Sequence, residues 1–144
     1  MSAYAGHRHH DGRTQVTVDG TTPLVPEGVH AQAFEWGYEG TAPAELSRAL
    51  LRHHLDDRIP HPFIYQRVMR SIVRHFARTD WECTSASLEL AMQQALTACD
   101  RTCPLCADSG YRQLPGNRED ACECAVGRRL FNRPTHVTYR SAKK

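Results

Sequence analysis

The feature that most constrains this chain is a set of four cysteines in its last third: Cys103-Pro104-Leu105-Cys106, fifteen residues, then Cys122-Glu123-Cys124. A C-x2-C turn aims two sulfurs at one point, and a second pair arriving across a short ribbon completes a tetrahedral zinc site. Between the pairs lie Gly110 and Leu114-Pro115-Gly116-Asn117, suited to a hairpin turn joining two short strands. The usual ribbon carries C-x2-C in both knuckles, whereas the second pair here is C-x-C. Cys99, four residues before Cys103, or His136 in the tail could stand in as a ligand. A redox pair at Cys103 and Cys106 is a competing reading, but that chemistry wants C-x-x-C opening a helix in a βαβ setting, which the surrounding sequence lacks. Cys83 stands alone and reads as a small buried hydrophobe.

Composition explains why a staple is needed. Leu, Ile, Val and Phe make up only 18% of the 144 residues, so the apolar core is thin. Small domains with thin cores rely on metals, disulfides or partners. No run approaches the ~18 apolar residues of a membrane span. Met1–His10 has no hydrophobic signal core, so the expected setting is intracellular, in the cytoplasm, with no membrane partner. Thiols stay reduced there, which favours zinc over disulfides. The basic residues are 16 arginines and two lysines, Lys143 and Lys144 at the C-terminal end. A P-loop, a Schiff-base lysine and a kinase-type lysine are therefore excluded, and with them a nucleoside triphosphate as partner. The net charge of +2 hides an asymmetry: residues 1–100 sum to −3 and residues 101–144 to +5.

Along the chain, Tyr4–Arg8 and Thr14–Val18 have the alternation and flanking turns of hairpin strands. Thr22-Pro23-Leu24-Val25-Pro26 fits only an edge or a loop, because each proline removes a ladder donor. Phe34, Trp36 and Tyr38 either line one face or pack into a corner before Gly40. Three helices follow. Thr41 is the expected N-cap of the first, Glu45 suits its positive end, and Leu46, Ala49 and Leu50 mark its apolar face up to a stop near Asp56-Asp57. The second, after Pro60-His61-Pro62, carries Tyr65, Val68, Met69, Ile72, Val73 and Phe76 at offsets 0, 3, 4, 7, 8 and 11, a buried stripe. The third spans Ala86 to Ala98 behind Thr84 or Ser85. The predicted fold is α+β: an N-terminal β-hairpin or meander packed on about three helices over residues 1–98, a zinc-ribbon-like module over 99–133, and a basic tail over 134–144, with a strand possible at Val137–Tyr139.

Chemistry outside the cysteines is sparse. Arg67, Arg70, Arg74 and Arg78 fall within an arc of about 80° opposite the apolar stripe of the second helix. No Asp or Glu between Gln66 and Arg78 pairs with them along the helix. Such a face can follow a phosphate backbone, and Arg128, Arg129 and Arg133 offer a second basic surface. It can equally meet an acidic protein. His7, His9 and His10, and His53-His54 with Asp56-Asp57, read as solvated clusters. No G-x-S-x-G, H-E-x-x-H or EF-loop pattern occurs, so nothing argues for an enzyme.

Two resemblances bear on this. Phe34-Glu35-Trp36-Gly37-Tyr38-Glu39-Gly40-Thr41-Ala42-Pro43-Ala44-Glu45-Leu46 resembles the FEWGYGGSGPAQLA motif of a family of small uncharacterised bacterial and phage- or plasmid-borne domains, with Glu39 where that family usually has glycine. The likeness extends over residues 3–98 and implies a fold unit and a mobile-element setting, but no reaction. Residues 103–130, with Cys103-Pro104-Leu105-Cys106-Ala107-Asp108-Ser109-Gly110-Tyr111, Cys122-Glu123-Cys124 and Gly127-Arg128-Arg129-Leu130, resemble the zinc module of bacterial replicative-helicase loaders. They are also similar to the C-x2-C-x-G-x-G knuckles of chaperone cofactors, Asp108 departing at the first glycine. The resulting expectation is a non-enzymatic, zinc-binding, nucleic-acid-associated accessory protein of a phage or mobile element. DNA or RNA and a protein partner are its expected contacts. The alternative is a zinc-stabilised interaction or assembly protein, including an inhibitor of a host complex, that binds no nucleic acid.

Overall fold

The two alternating segments form antiparallel strands β1 (Ala3–Arg8) and β2 (Thr14–Val18) in a computed structural model of the chain, which describes residues 2–116 and 118–127. β3 (Thr22–Leu24) pairs with β2 at the sheet edge, where Pro23 can be tolerated. Far along the chain, β4 (Trp81–Thr84) closes the other side of β1, giving the order β3-β2-β1-β4. That fourth strand has no counterpart among the sequence expectations, since four residues are too few to show a period. Tyr4, Gly6, Val16, Val18, Trp81 and Cys83 all point to the buried face. Gly6 lies opposite Trp81, and a Cβ on it would come within 2.1 Å of the indole Nε1. Only glycine lets the tryptophan lie across β1.

Three helices cover that face: α1 (Thr41–His54), α2 (Pro62–Ser71) and α3 (Ser85–Ala98). Helix α1 starts behind Gly40 without a side-chain cap, whereas Thr84 Oγ1 caps α3 by accepting from Ser87 N–H at 3.2 Å. The expectation for α1 fell short on its polar face. Residues 43–51 are all buried, because the irregular segment 25–36 lies over Glu45, Arg48 and Arg52. Glu45 does not serve the helix dipole. Its carboxylate is fully buried and accepts the backbone N–H groups of Glu27 (2.9 Å), His30 (2.7 Å) and Ala31 (3.3 Å).

A second correction concerns the predicted long helix over residues 65–78. Helix α2 ends at Ser71, Ile72 leaves helical geometry, and a single 3-10 turn (Val73–His75) follows. The stripe is still inward, but Phe76 must reach Trp81, on which it stacks at 4.2 Å between ring centroids, so the chain turns. The Val73 carbonyl accepts both Phe76 N–H, at 3.2 Å, and Gly37 N–H, at 3.1 Å. Gly37 itself has φ +88, and Phe76 O and the Arg78 stem stand where a side chain would be.

Beyond α3, β5 (Tyr111–Leu114) and β6 (Arg118–Ala121) form the expected hairpin. Cys103, Leu105, Cys106 and Cys122 belong to the same apolar cluster as Leu46, Leu50, Val68 and Leu88. The cysteine segment therefore extends the body's core. Among the described residues no helix is long and apolar enough to cross a membrane. The expected basic tail, 134–144, with its strand at Val137–Tyr139, lies outside the described residues.

Candidate functional site

The four cysteines singled out from spacing converge. The Sγ atoms of Cys103, Cys106, Cys122 and Cys124 all lie within 4.8 Å of one another, with Cys103–Cys122 and Cys106–Cys124 each at 3.6 Å. A tetrahedral thiolate site with metal–sulfur bonds of about 2.3 Å has its sulfurs about 3.8 Å apart, so the cluster fits a metal ion. Three of the four are buried, and Cys124 is half-buried.

Local structure prepares the site. Ala107 and Asp108 adopt left-handed backbone (φ 49 and 67), bending the first knuckle back. Asp108 stands where glycine knuckles have their first glycine, and its short polar side chain suits that conformation. Its carboxylate accepts from Thr102 N–H, Thr102 Oγ1 and Cys103 N–H at 2.9–3.1 Å. Burial opposes its ionisation, but these donors outweigh burial and hold it below the ordinary carboxylate range. Burial pushes the Cys103 thiol up, and Cys122 up to about 11, although Leu105 and Cys106 N–H groups donate to Cys103. At Cys124 burial works the same way but is overcome by Gly127 N–H, 3.5 Å away, and the neighbouring thiols, so its pKa is lowered. Four thiols crowded in an apolar pocket with N–H donors aimed at the sulfurs are ill suited to staying free and well suited to a cation that neutralises them.

The knuckle is fastened to α2. His61 N–H donates to Pro104 O at 2.8 Å, while His61 Nδ1 accepts from Phe63 N–H and caps α2. Burial, then the charge of Arg101, lower the His61 pKa and favour the neutral ring that capping requires. Arg58 also reaches Glu123 at 2.5 Å.

The other candidates divide. Cys99 is half-buried and outside the cluster. His136, Arg128, Arg129 and Arg133 lie outside the described residues. Cys83 is buried as expected, its thiol pushed up to about 11 by that burial. His7 contacts Asp80 at 2.9 Å and His9 contacts Gln15 at 3.3 Å. His53 bonds Tyr4 OH at 2.9 Å and His54 bonds Glu89 at 2.8 Å, pointing in different directions.

Arg67, Arg70, Arg74 and Arg78 are all exposed, but not on one helix: Arg67 and Arg70 ride α2, Arg74 the 3-10 turn, and Arg78 the segment after it. They are also not free of acids. Glu39 reaches Arg74 at 2.6 Å and Arg70 at 3.4 Å, from 35 and 31 residues away. Arg78 lies over the Tyr38 ring (5.7 Å) and Arg67 over Phe63 (5.2 Å), and both rings are exposed. Tyr38 and Glu39, being adjacent, join Arg70, Arg74 and Arg78 into one patch.

The aromatic-glycine block is therefore mostly a packed corner. Phe34 and Trp36 are buried, Trp36 meets Trp81 edge-on at 5.6 Å, and Glu35 grips Arg8 through two bonds of 2.6 and 3.1 Å. Only Tyr38 and Glu39 of its core turn outward.

No curated protein and no solved structure matches the chain. A family profile matches residues 4–94, which covers the sheet, the three helices to the last turn of α3, and the aromatic corner. It ends before the first of the four clustered cysteines and says nothing about them. With well over half of its length matched, the chain belongs to DUF6166, a family of unknown function.

Proposed function

We propose that the protein is a non-enzymatic, zinc-stabilised, nucleic-acid-associated accessory protein. The observation that carries this reading is the exposed patch of Arg67, Arg70, Arg74 and Arg78, two of them stacked on exposed rings, with Glu39 as the acid that pairs with it. Guanidinium groups match phosphate oxygens, and aromatic faces accept bases regardless of sequence. Arg67 and Arg70 ride on α2, whose start is fastened to the cysteine knuckle. Zinc is the ion of choice for four thiolates in a tetrahedron, and here it would hold the platform under the patch. The resemblance of residues 3–98 to phage- and plasmid-borne domains, and of residues 103–130 to the zinc module of helicase loaders, supports a setting on a mobile element.

Binding of a labelled single-stranded DNA of mixed sequence, measured by anisotropy across a salt series, tests the reading. Affinity should fall linearly with log salt, with a slope of about −0.7 for each phosphate contacted. Joint replacement of Arg67, Arg70 and Arg74 by Gln should flatten the slope without unfolding. Absence of binding at low salt in the metal-loaded protein would leave the protein-docking alternative in its place.

A further inference from the structure

The odd member of the arginine patch is Glu39. Its carboxylate bridges Arg70 Nε (3.4 Å) and Arg74 Nη1 (2.6 Å), holding two guanidinium groups around one anion. Neither arginine is buried by the arrangement. The three side chains keep 42–56% of their surface open to solvent, so the bridge belongs to the weakest class of ion pair and exchanges readily for a better anion. A phosphate is such an anion, because it presents more charge and more acceptor oxygens to the same forks. The backbone around Glu39 is set by other contacts: Gly37 N–H on Val73 O, and Trp36 in the core. The carboxylate can leave the arginines by side-chain rotation alone.

We propose that Arg70 and Arg74 form a seat for one backbone phosphate of the nucleic acid, and that Glu39 occupies this seat in the free protein and competes with the ligand for it. The inference rests on the nucleic-acid reading above and adds its point of contact and its control. Arg78 on Tyr38 and Arg67 on Phe63 flank the seat and receive the neighbouring nucleotides. Glu39 thereby lowers affinity for any polyanion too weak to displace it, and takes one unit of positive charge off the seat when unbound.

The test is the same anisotropy measurement on metal-loaded wild type, Glu39→Gln, Arg74→Gln and the double variant, each checked for an unchanged circular dichroism spectrum. Glu39→Gln should bind about three- to tenfold tighter near 50 mM salt with the salt slope of wild type, because the same phosphate fills the seat once Glu39 has left it. The gain should vanish in the double variant, because the two residues act on one seat. Binding by wild type with no gain in Glu39→Gln, or a gain that survives loss of Arg74, overturns the seat while leaving nucleic-acid binding intact. Binding seen only in Glu39→Gln overturns the functional reading, because the carboxylate of the natural protein would then never yield the seat to a phosphate. Absence of binding in all four proteins overturns the functional reading and the seat with it.

Discussion

The α+β body and the cysteine hairpin solve the same problem in opposite ways. Residues 2–98 bury a conventional core, with Trp36, Leu46, Leu50, Leu51, Ile64, Val68 and Leu88 all but inaccessible to solvent. Strands β5 and β6, by contrast, contain no fully buried residue, and a two-stranded ribbon without a packed face is marginal in water. The hairpin segment's buried side chains are three of the clustered cysteines with Leu105 and Ala107. Where apolar residues run out, a cluster of four sulfurs that could hold a metal ion stands in their place. The comparison also shows that the two regimes share a boundary, since Leu105 and three sulfurs complete the body's core.

The largest effect should come from the metal. Elemental analysis of the purified protein should find one zinc per chain, and a strong chelator or Cys106→Ser should unravel residues 99–127, because structural zinc is worth about 10 kcal/mol or more to small folds. Far-UV circular dichroism should retain the helical signal of α1 and α3. Simultaneous loss of all helical signal would break the distinction and make hairpin and body a single cooperative unit.

Within the body, Glu45→Ala comes next. It strips three backbone N–H groups of a buried acceptor, and losses of this type cost about 3–5 kcal/mol, which urea unfolding would register. A loss under ~1 kcal/mol would mean that segment 25–36 is held by Arg48, Arg52 and Glu27 instead.

A smaller effect separates the thiols of the two regions. Burial raises Cys83 from 9.0 to about 11, so the folded body holds this proton more tightly than the unfolded chain. The resulting stability is fully present below pH 9.0 and is lost as pH rises through about 11, by about 3 kcal/mol. Tyr4, raised by burial to about 12, extends the decline. In the metal-loaded protein, whose cluster sulfurs are already thiolates, unfolding of Cys83→Ala across this range should show the fall beginning near pH 10 instead. An unchanged profile would assign the alkaline loss elsewhere.

Much of this architecture was legible because it is local. The offsets of Tyr65, Val68 and Met69, the Asp56-Asp57 stop and the prolines of the edge segment each act within a few residues, and the cysteine spacing pointed to four sulfurs while leaving Cys99 and His136 open as stand-ins. What escaped was of two kinds. β4 is too short to show a period and is defined by pairing with β1, almost eighty residues earlier. The extended stripe ending at Phe76 was right about direction and wrong about backbone, because stacking on Trp81 outweighs the continuation of α2.

The sequence by itself determined the first hairpin, the apolar stripes of the three helices and the leading set of four sulfurs, since periodicity and ligand spacing are properties of neighbouring residues. Only the tertiary structure decided what the isolated acids do. Glu45 became a buried anchor for a loop, Asp108 the brace of the first knuckle, and Glu39 the anion between Arg70 and Arg74. For Glu45 and Glu39, contacts 14 to 35 residues apart leave no periodic trace in the sequence. Charge interactions reach whatever the fold brings within a few ångströms, so a lone carboxylate acquires its meaning only there.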